Sequence, residues 1–337
     1  MEIGTRIKVE IEKCVFGGNG LARHEGQVVF VDAALPGEIL IAEVTAVKSN
    51  FLRAKAVKFG TLSPRRIEPE CPAFLRCPGC SYCHVDYAYE TELKDAQLRD
   101  FVAQAGLEPV EGILPAIAPE PAYGYRNKLS LHVNKEGSET MIGYVADDKQ
   151  TVTPIDHCPL AHPAINAELA KLLATPGFRH SVHNRMDLTF RYTPRDGVKF
   201  FRNAPPRNAT WLREETSVGE LAVPAGGFFQ VNPGGVEALI GALRELLRQY
   251  PVKRFIDLYC GVGLFSAVAA EAGVAEIRGA ELAEDAVTVA RYNLTQRGRA
   301  DAVFVAADAC EALPGLMEGA EPEKTMIVID PPRNGLT

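Results

Sequence analysis

Hydrophobic and polar positions alternate from the start of the chain. Over residues 5–13, Ile7, Val9 and Ile11 are set against Lys8, Glu10 and Glu12, the two-residue period of a half-buried strand. Gly17-Gly18-Asn19-Gly20 predicts a turn before Leu21-Ala22-Arg23, and Ala34-Leu35-Pro36-Gly37-Glu38 predicts another after residues 27–31. Runs at 39–48 and 51–58 complete five short strands, the pattern of an OB-like barrel. A polar, proline-containing linker follows at 61–70. The period then lengthens, and Tyr89, Leu93, Leu98, Phe101 and Val102 predict a helix over 86–106 that stops at Gly106. Residues 122–193 return to short runs and predict mostly β structure. Asn232-Pro233, a good cap and first position, opens a predicted helix over 236–249. Beyond it, predicted strands at 255–259, 276–281, 302–306 and 326–329 alternate with helical stretches such as 286–293. That alternation predicts a parallel, doubly wound sheet with its site at the carboxyl ends of the strands. The fold class is multidomain α/β, with the barrel over 1–60, a central mostly-β α+β domain over 61–225 and a Rossmann-like sheet over 226–337.

The chemistry begins where the first of those strands ends. Phe255-Ile256-Asp257-Leu258-Tyr259 runs directly into Cys260-Gly261-Val262-Gly263-Leu264-Phe265. An apolar strand that breaks into a two-glycine turn before a helix brings backbone N–H groups close to a ligand without Cβ obstruction. Glu281, about twenty residues on, has the spacing of an acid that binds a ribose diol. Asp308 lies just past the third strand, and the fourth ends in Asp330-Pro331-Pro332-Arg333. Gly261, Glu281, Asp308 and Asp330 would share one edge. Gln230, in Gly226-Gly227-Phe228-Phe229-Gln230-Val231-Asn232-Pro233, offers an amide beside them. The order Asp-x-x-x-Gly-x-Gly, acid, acid, Asp-Pro-Pro resembles the S-adenosylmethionine-dependent methyltransferases. A dinucleotide dehydrogenase would need a third glycine, which residues 264–267 lack. An unrelated βα unit with a tight turn is the plain alternative.

Composition changes the picture in two places. The 337 residues, 47% apolar and 23% charged, suit two or three packed domains. There is no secretory pattern and no apolar run near the length that spans a bilayer, so a soluble, cytosolic protein is expected, without a membrane partner and monomeric. Eight cysteines in such a chain point to metal or catalysis before disulfides. Cys71, Cys77 and Cys80 stand at x5 and x2 spacing, with a Pro78-Gly79 turn between the last two, a metal-ligand signal. The fourth ligand is Cys83, close by, or Cys158 in Asp156-His157-Cys158-Pro159. Structural zinc and a [4Fe–4S] cluster both fit four thiolates. The absence of paired Cys-x-x-Cys arms favours the cluster on Cys71, Cys77, Cys80 and Cys158, leaving Cys83 a bystander. His84, His157 and His162 are expected to pack or support.

The net charge of −7 argues against a broadly nucleic-acid-binding surface, but the average hides an asymmetry. Residues 178–213 carry Arg179, Arg185, Arg191, Arg195, Lys199, Arg202, Arg207 and Arg213 against Asp187 and Asp196. Such a segment suits local phosphate contact, or is a solvated surface of arginines. Tyr125-Arg126-Asn127-Lys128 mixes ring and charge as single-strand RNA contacts do, or is an ordinary strand edge. Lys48, Arg53, Lys55 and Lys58 near one end of the barrel lean the same way.

Gly-x-Gly-Leu-Ala-Arg, Val-Val-Phe-Val and Ala-Leu-Pro-Gly-Glu in the barrel resemble the TRAM domain of RNA-modifying enzymes. Cys-x5-Cys-x2-Cys, Tyr-Arg-Asn-Lys, His-Cys-Pro, Phe-Phe-Gln-Val-Asn, Asp-Leu-Tyr-Cys-Gly-Val-Gly-Leu-Phe and Asp-Pro-Pro-Arg-x-Gly-Leu together resemble the RNA uracil-C5 methyltransferase family. Its branch with a TRAM domain and an iron–sulfur cluster is nearest, and the likeness covers nearly the whole chain. The resemblance implies that Gln230, Tyr259, Gly261, Glu281 and Asp330 bind S-adenosylmethionine, with Asp308 supporting the adenine. It implies a flipped uracil, attacked at C6 by a cysteine thiolate so that C5 accepts the methyl group. It also implies ribosomal rather than transfer RNA. Cys83 stands where the family more often has glutamine. In that family the nucleophilic cysteine and the base glutamate follow Asp-Pro-Pro-Arg, so both are expected beyond Thr337. On that reading the chain lacks its end, would leave 326–329 a bare edge strand and would not turn over. The rivals are a methyltransferase acting on another base position and a non-catalytic RNA-binding iron–sulfur protein.

Overall fold

A computed structural model describes residues 1–107, 112–146, 148–203, 205, 211–332 and 335. Arg207, Arg333 and Thr337 lie outside the described residues. Two compact units emerge, Met1–Ala118 with Met141–Ile155, and Pro119–Thr140 with Asp156–Thr337. Among the described residues no helix is long and apolar enough to cross a membrane.

The first unit opens with β1 (Arg6–Glu10), β2 (Lys13–Cys14), β3 (Gly20–His24), β4 (Gln27–Asp32), β5 (Ile39–Val47) and β6 (Phe51–Thr61), in the order β1-β5-β6-β4-β3-β2. Six strands form where the pattern predicts five, because the first strand ends at Glu10 and Lys13-Cys14 pair separately with β3. Neighbours run antiparallel except β4 and β6, which are parallel. The alternation is visible as burial: Ile7, Val9, Ile11, Val29, Val31, Leu40, Val44 and Leu52 fill the centre. Beside it Glu38 is wholly buried and accepts bonds from Leu35 N, Ser63 N and the Arg66 guanidinium. Burial raises this carboxyl, but Arg66 and the two amides outweigh it and hold the group below the usual carboxylate range. Helix α1 (Tyr87–Gln104) starts at Asp86, which accepts from Tyr89 N at 2.8 Å, the side-chain cap that an aspartate supplies.

Strands β7 (Lys128–Glu136), β8 (Glu139–Val145) and β9 (Val152–Pro154) follow. Over Met141–Ile155 the chain is back in the first unit, where β8 and β9 pair antiparallel with Gly143 opposite Pro154. In the second unit come α2 (Pro163–Ala174), α3 (Phe178–Ser181), β10 (Asp187–Thr193) and β11 (Gly197–Arg202). β10 lies antiparallel between β7 and β11. Two helices interrupt the mostly β structure across 122–193: Pro163 at the first turn and the buried pair Ile165 and Leu169 commit that stretch to helix.

A hairpin of β12 (Trp211–Thr216) and β13 (Gly219–Pro224) precedes α4 (Pro233–Gln249). The α/β part consists of β14 (Arg254–Leu258), α5 (Leu264–Glu271), β15 (Glu276–Glu281), α6 (Glu284–Thr295), β16 (Val303–Ala306), α7 (Ala309–Met317) and β17 (Thr325–Ile329). Its four strands are parallel in the order β16-β15-β14-β17. Central β14 is buried along its whole length, as a parallel strand covered on both faces should be. Among the described residues β17 is an edge, with Ile327 and Ile329 exposed. α4 presents Val236, Ile240 and Leu243 to the core at helical spacing. Their burial stabilises by roughly 1.5–3 kcal/mol each.

Candidate cofactor-binding site

The site is built on the end of β14. Asp257 is fully buried there. Its Oδ2 accepts from Ser266 N at 3.0 Å and from Ser266 Oγ at 2.7 Å, tying strand to α5. Its Oδ1 has no hydrogen-bond partner among the described residues. Burial pushes the carboxyl up to about 7; the Ser266 bonds pull against that, and the carboxylates of Asp330 and Glu281 add to it. The chain then leaves the sheet through left-handed backbone at Tyr259 (φ 64°), Gly261 (φ 52°) and Gly263 (φ 85°). A Cβ on Gly263 would come within 3.2 Å of Leu294 Cδ2 and 3.4 Å of Ala290 Cβ. Conformation and the close approach of α6 therefore both require glycine at that position.

The register sets the other groups beside this turn. Leu258 pairs with Ala280 and Ile329, and Glu281 with Ala306. Tyr259, Glu281, Asp308 and Asp330 accordingly emerge together at the carboxyl edge. Glu281 is tied to the turn itself, its Oε2 accepting from Gly261 N at 3.1 Å and its Oε1 from Ala283 N at 2.9 Å. Each carboxylate oxygen keeps a further lone pair for a diol. Asp308 caps α7, accepting from Cys310 N at 2.8 Å and Glu311 N at 3.3 Å. Tyr259 feels its charge. Partial desolvation raises the phenol, and the Cys310 and Asp308 charges add. Gln230 reaches across to Asp330, its Nε2 donating to Oδ2 at 3.4 Å.

What fixes Gln230 was not legible beforehand. Asn127, buried, donates from its backbone N to Val231 O at 3.0 Å and from Nδ2 to Gln230 O at 3.4 Å. Lys128 Nζ reaches Gly227 O at 3.5 Å, and desolvation lowers its pKa. Tyr-Arg-Asn-Lys thus braces the segment that carries Gln230. Arg191 does the same from below: it is 1% exposed, bonded to Glu214 at 3.1 Å and to Pro224 O and Gly227 O at 3.2 Å. The expectation that Arg191 belongs to a phosphate-facing surface is therefore corrected, since its charge is consumed inside the fold. Arg195 and Arg213 share Glu220, and Arg202 is bonded to Ser181. Arg179, Arg185 and Lys199 are exposed.

The cysteines separate into groups. Cys260 is buried in the turn and burial pushes its thiol well up, which disfavours the thiolate a nucleophile needs. Cys310 is exposed in the first turn of α7. Cys71, Cys77 and Cys80 lie in the first unit on a loop of turns, Gly79 leaving room beside Cys77 Sγ. Cys158 lies in the second unit, buried, its backbone N and O held by Asn166. Among the described residues no three His, Cys, Asp or Glu groups stand in ligating geometry. His84 packs as expected, buried and stacked on Phe74, with desolvation lowering its pKa to about 4. His162 caps α2 and stacks on Tyr192 at 3.8 Å, and His157 is exposed.

A parallel sheet with a two-glycine turn after its central strand and acids at the neighbouring strand ends defines a methyltransferase-type domain. The same fold is seen in a tRNA (uracil-54, C5)-methyltransferase of Pyrococcus abyssi solved with S-adenosyl-L-homocysteine, which matches 98% of this chain and 84% of its own at a TM-score of 0.68 and 18% identity. Residues 1–57 match the TRAM domain. Among curated proteins, the chain is 27% identical over 98% of its length to an uncharacterised RNA methyltransferase of Thermosynechococcus vestitus, covering 84% of that protein. It is 28% identical over 91% of its length to the 23S rRNA (uracil(1939)-C(5))-methyltransferase RlmD of Shewanella sediminis, covering 77% of it. The chain is thus similar over nearly its whole length to RNA methyltransferases and matches a TRAM domain over residues 1–57, in line with the sequence motifs.

Proposed function

We propose that this chain binds S-adenosylmethionine at the carboxyl edge of the β16-β15-β14-β17 sheet and serves methylation of uracil C5 in RNA. One observation carries the reading: Gln230, Tyr259, Gly261, Glu281, Asp308 and Asp330, drawn from 100 residues of sequence, meet at that edge. Glu281 takes the ribose hydroxyls, Tyr259 and Asp308 flank the adenine, and Gln230 with Asp330 meets the amino-acid end. When bound, the cofactor supplies an electrophilic methyl on a sulfonium. The residues around it orient that group, and the carboxylates answer its positive charge. The TRAM barrel supports RNA as the partner, and the relatives named for 23S rRNA favour ribosomal RNA.

For C5 to accept a methyl group, a thiolate must add at C6 and a base must later remove the C5 proton. Neither role is assigned within this chain. Cys260 is buried with its thiol pushed well up, and Cys310 is exposed in the first turn of α7. A [4Fe–4S] cluster on Cys71, Cys77, Cys80 and Cys158, or zinc in its place, rests on spacing alone. The visible spectrum of anaerobically purified protein decides between them.

The test of the main reading is calorimetric titration with S-adenosylhomocysteine. Glu281→Ala and Asp330→Ala should each weaken binding at least tenfold, and an equal affinity for a nicotinamide dinucleotide would overturn the reading. Mass spectrometry of RNA nucleosides separates C5 methylation from methylation at another base position.

A further inference from the structure

Away from the carboxyl edge, the hairpin β12–β13 and α6 enclose a cavity of about 420 Å³ that the cofactor reading does not use. That volume lies within the range of small-ligand sites. Its walls include Trp211, Arg213, Tyr292, Gln296 and Arg297. Trp211 and Tyr292 contact each other with ring centroids 4.9 Å apart and planes inclined at 56°. Both stay about 40% exposed, Trp211 at 39% and Tyr292 at 40%, so each keeps ring surface open to solvent.

Arginines and carboxylates both stand beside these rings. Arg297 spends its guanidinium on the carbonyl oxygens of Val218, Glu220 and Asn293, and Glu271 acts on it only at longer range. Arg213 and Arg195 both turn to the single carboxylate of Glu220. Asp196 accepts from the backbone N of Arg213 at 2.8 Å. Arg195, Arg213 and Arg297 thus stand beside Glu220, Asp196 and the exposed Glu215, which lies opposite Glu220 in the hairpin, next to two rings and the amide of Gln296. Open aromatic surface supplies stacking, an amide supplies hydrogen bonds to a base edge, and the exposed guanidiniums of Arg195 and Arg213 can turn to a phosphate. A purely apolar occupant would leave that charge unanswered, and an acidic peptide would leave the rings without a flat partner.

We propose that this cavity takes an unpaired nucleotide of the RNA substrate outside the base that is methylated, the base lying against Trp211 and Tyr292 and its phosphate towards Arg213 and Arg195. This rests on the reading of the chain as RNA-binding and adds a second contact point to it.

Trp211 is the chain's single tryptophan, so its emission reports this cavity directly. The full chain is titrated with a fluorescently labelled, single-stranded, uridine-containing RNA, and anisotropy and tryptophan emission are read together. The expected result is saturable quenching with the same midpoint as the anisotropy change. Trp211→Ala and Tyr292→Leu should weaken RNA binding about 5- to 100-fold and leave S-adenosylhomocysteine affinity unchanged. Arg213→Gln, an exposed change that leaves the packing intact, should weaken binding and lower the salt slope by about one. RNA binding with unmoved tryptophan emission, and wild-type affinity in all three variants, would overturn the proposal and leave the RNA reading standing. No anisotropy change with wild-type protein would overturn both.

Discussion

Asp257→Asn probes the buried carboxyl beneath the cofactor turn. The aspartate binds its proton more tightly folded than unfolded, its pKa rising from the ordinary 3.8 to about 7. Between those values the native state holds a proton that the unfolded chain has released, so stability falls as pH rises through that window. Each pH unit is worth about 1.4 kcal/mol, and the full window on the order of 4 kcal/mol. Asparagine cannot ionise. Its oxygen can keep both bonds from Ser266, while its amide nitrogen takes the place of Oδ1, which has no partner among the described residues. An unsatisfied buried donor costs about 1–3 kcal/mol. The variant should therefore be less stable than wild type at pH 5, and equal or more stable at pH 8, with a flatter profile between. Urea unfolding followed by Trp211 emission reads this in the second unit itself. Parallel profiles for the two proteins from pH 5 to 7 would refute the assignment of the titration to Asp257.

Other outcomes follow from the same structure. Arg191→Met should cost about 3–5 kcal/mol by stranding the buried Glu214, whereas the double change with Glu214→Leu should recover most of it; thermal unfolding measures both. Gly263→Ala places a Cβ against Leu294 at a positive φ and should cost about 1–3 kcal/mol, with S-adenosylhomocysteine affinity falling alongside. Asn127→Ala touches no proposed cofactor contact, yet should reduce S-adenosylhomocysteine affinity several-fold in calorimetry by loosening Gln230, with little change in RNA affinity.

The sequence disclosed most where one physical rule acts alone. Alternation in residues 5–13 and 39–58 translated into barrel strands because one face of each meets the core and the other meets water. The four parallel strands were legible as apolar runs, and their register then brings Glu281, Asp308 and Asp330 to one edge. α2 was readable in principle from Pro163, Ile165 and Leu169, but lay inside a stretch dominated by short runs. The hairpin β12–β13 was hidden because its strands carry arginines and glutamates, which pair with each other across and beside it. Arg191 could not be told from its exposed neighbours, since burial of a charge depends on a partner, Glu214, that only the tertiary fold supplies. The bracing role of Asn127 was equally invisible, as its partners lie 103 residues away.

Asn293 has a reach beyond its own helix. Buried on α6, it accepts from Ala222 N at 2.8 Å, and its Nδ2 donates to Ala222 O at 2.9 Å and to Val262 O at 3.0 Å. Leu221 and Val223 of the same hairpin belong to the core that surrounds α5 and α6. A protein engineer who excised the α/β part at residue 226 would remove a wall of that core and strand an amide in its interior. The smallest portable version of this domain starts upstream of Trp211 and carries the hairpin with it.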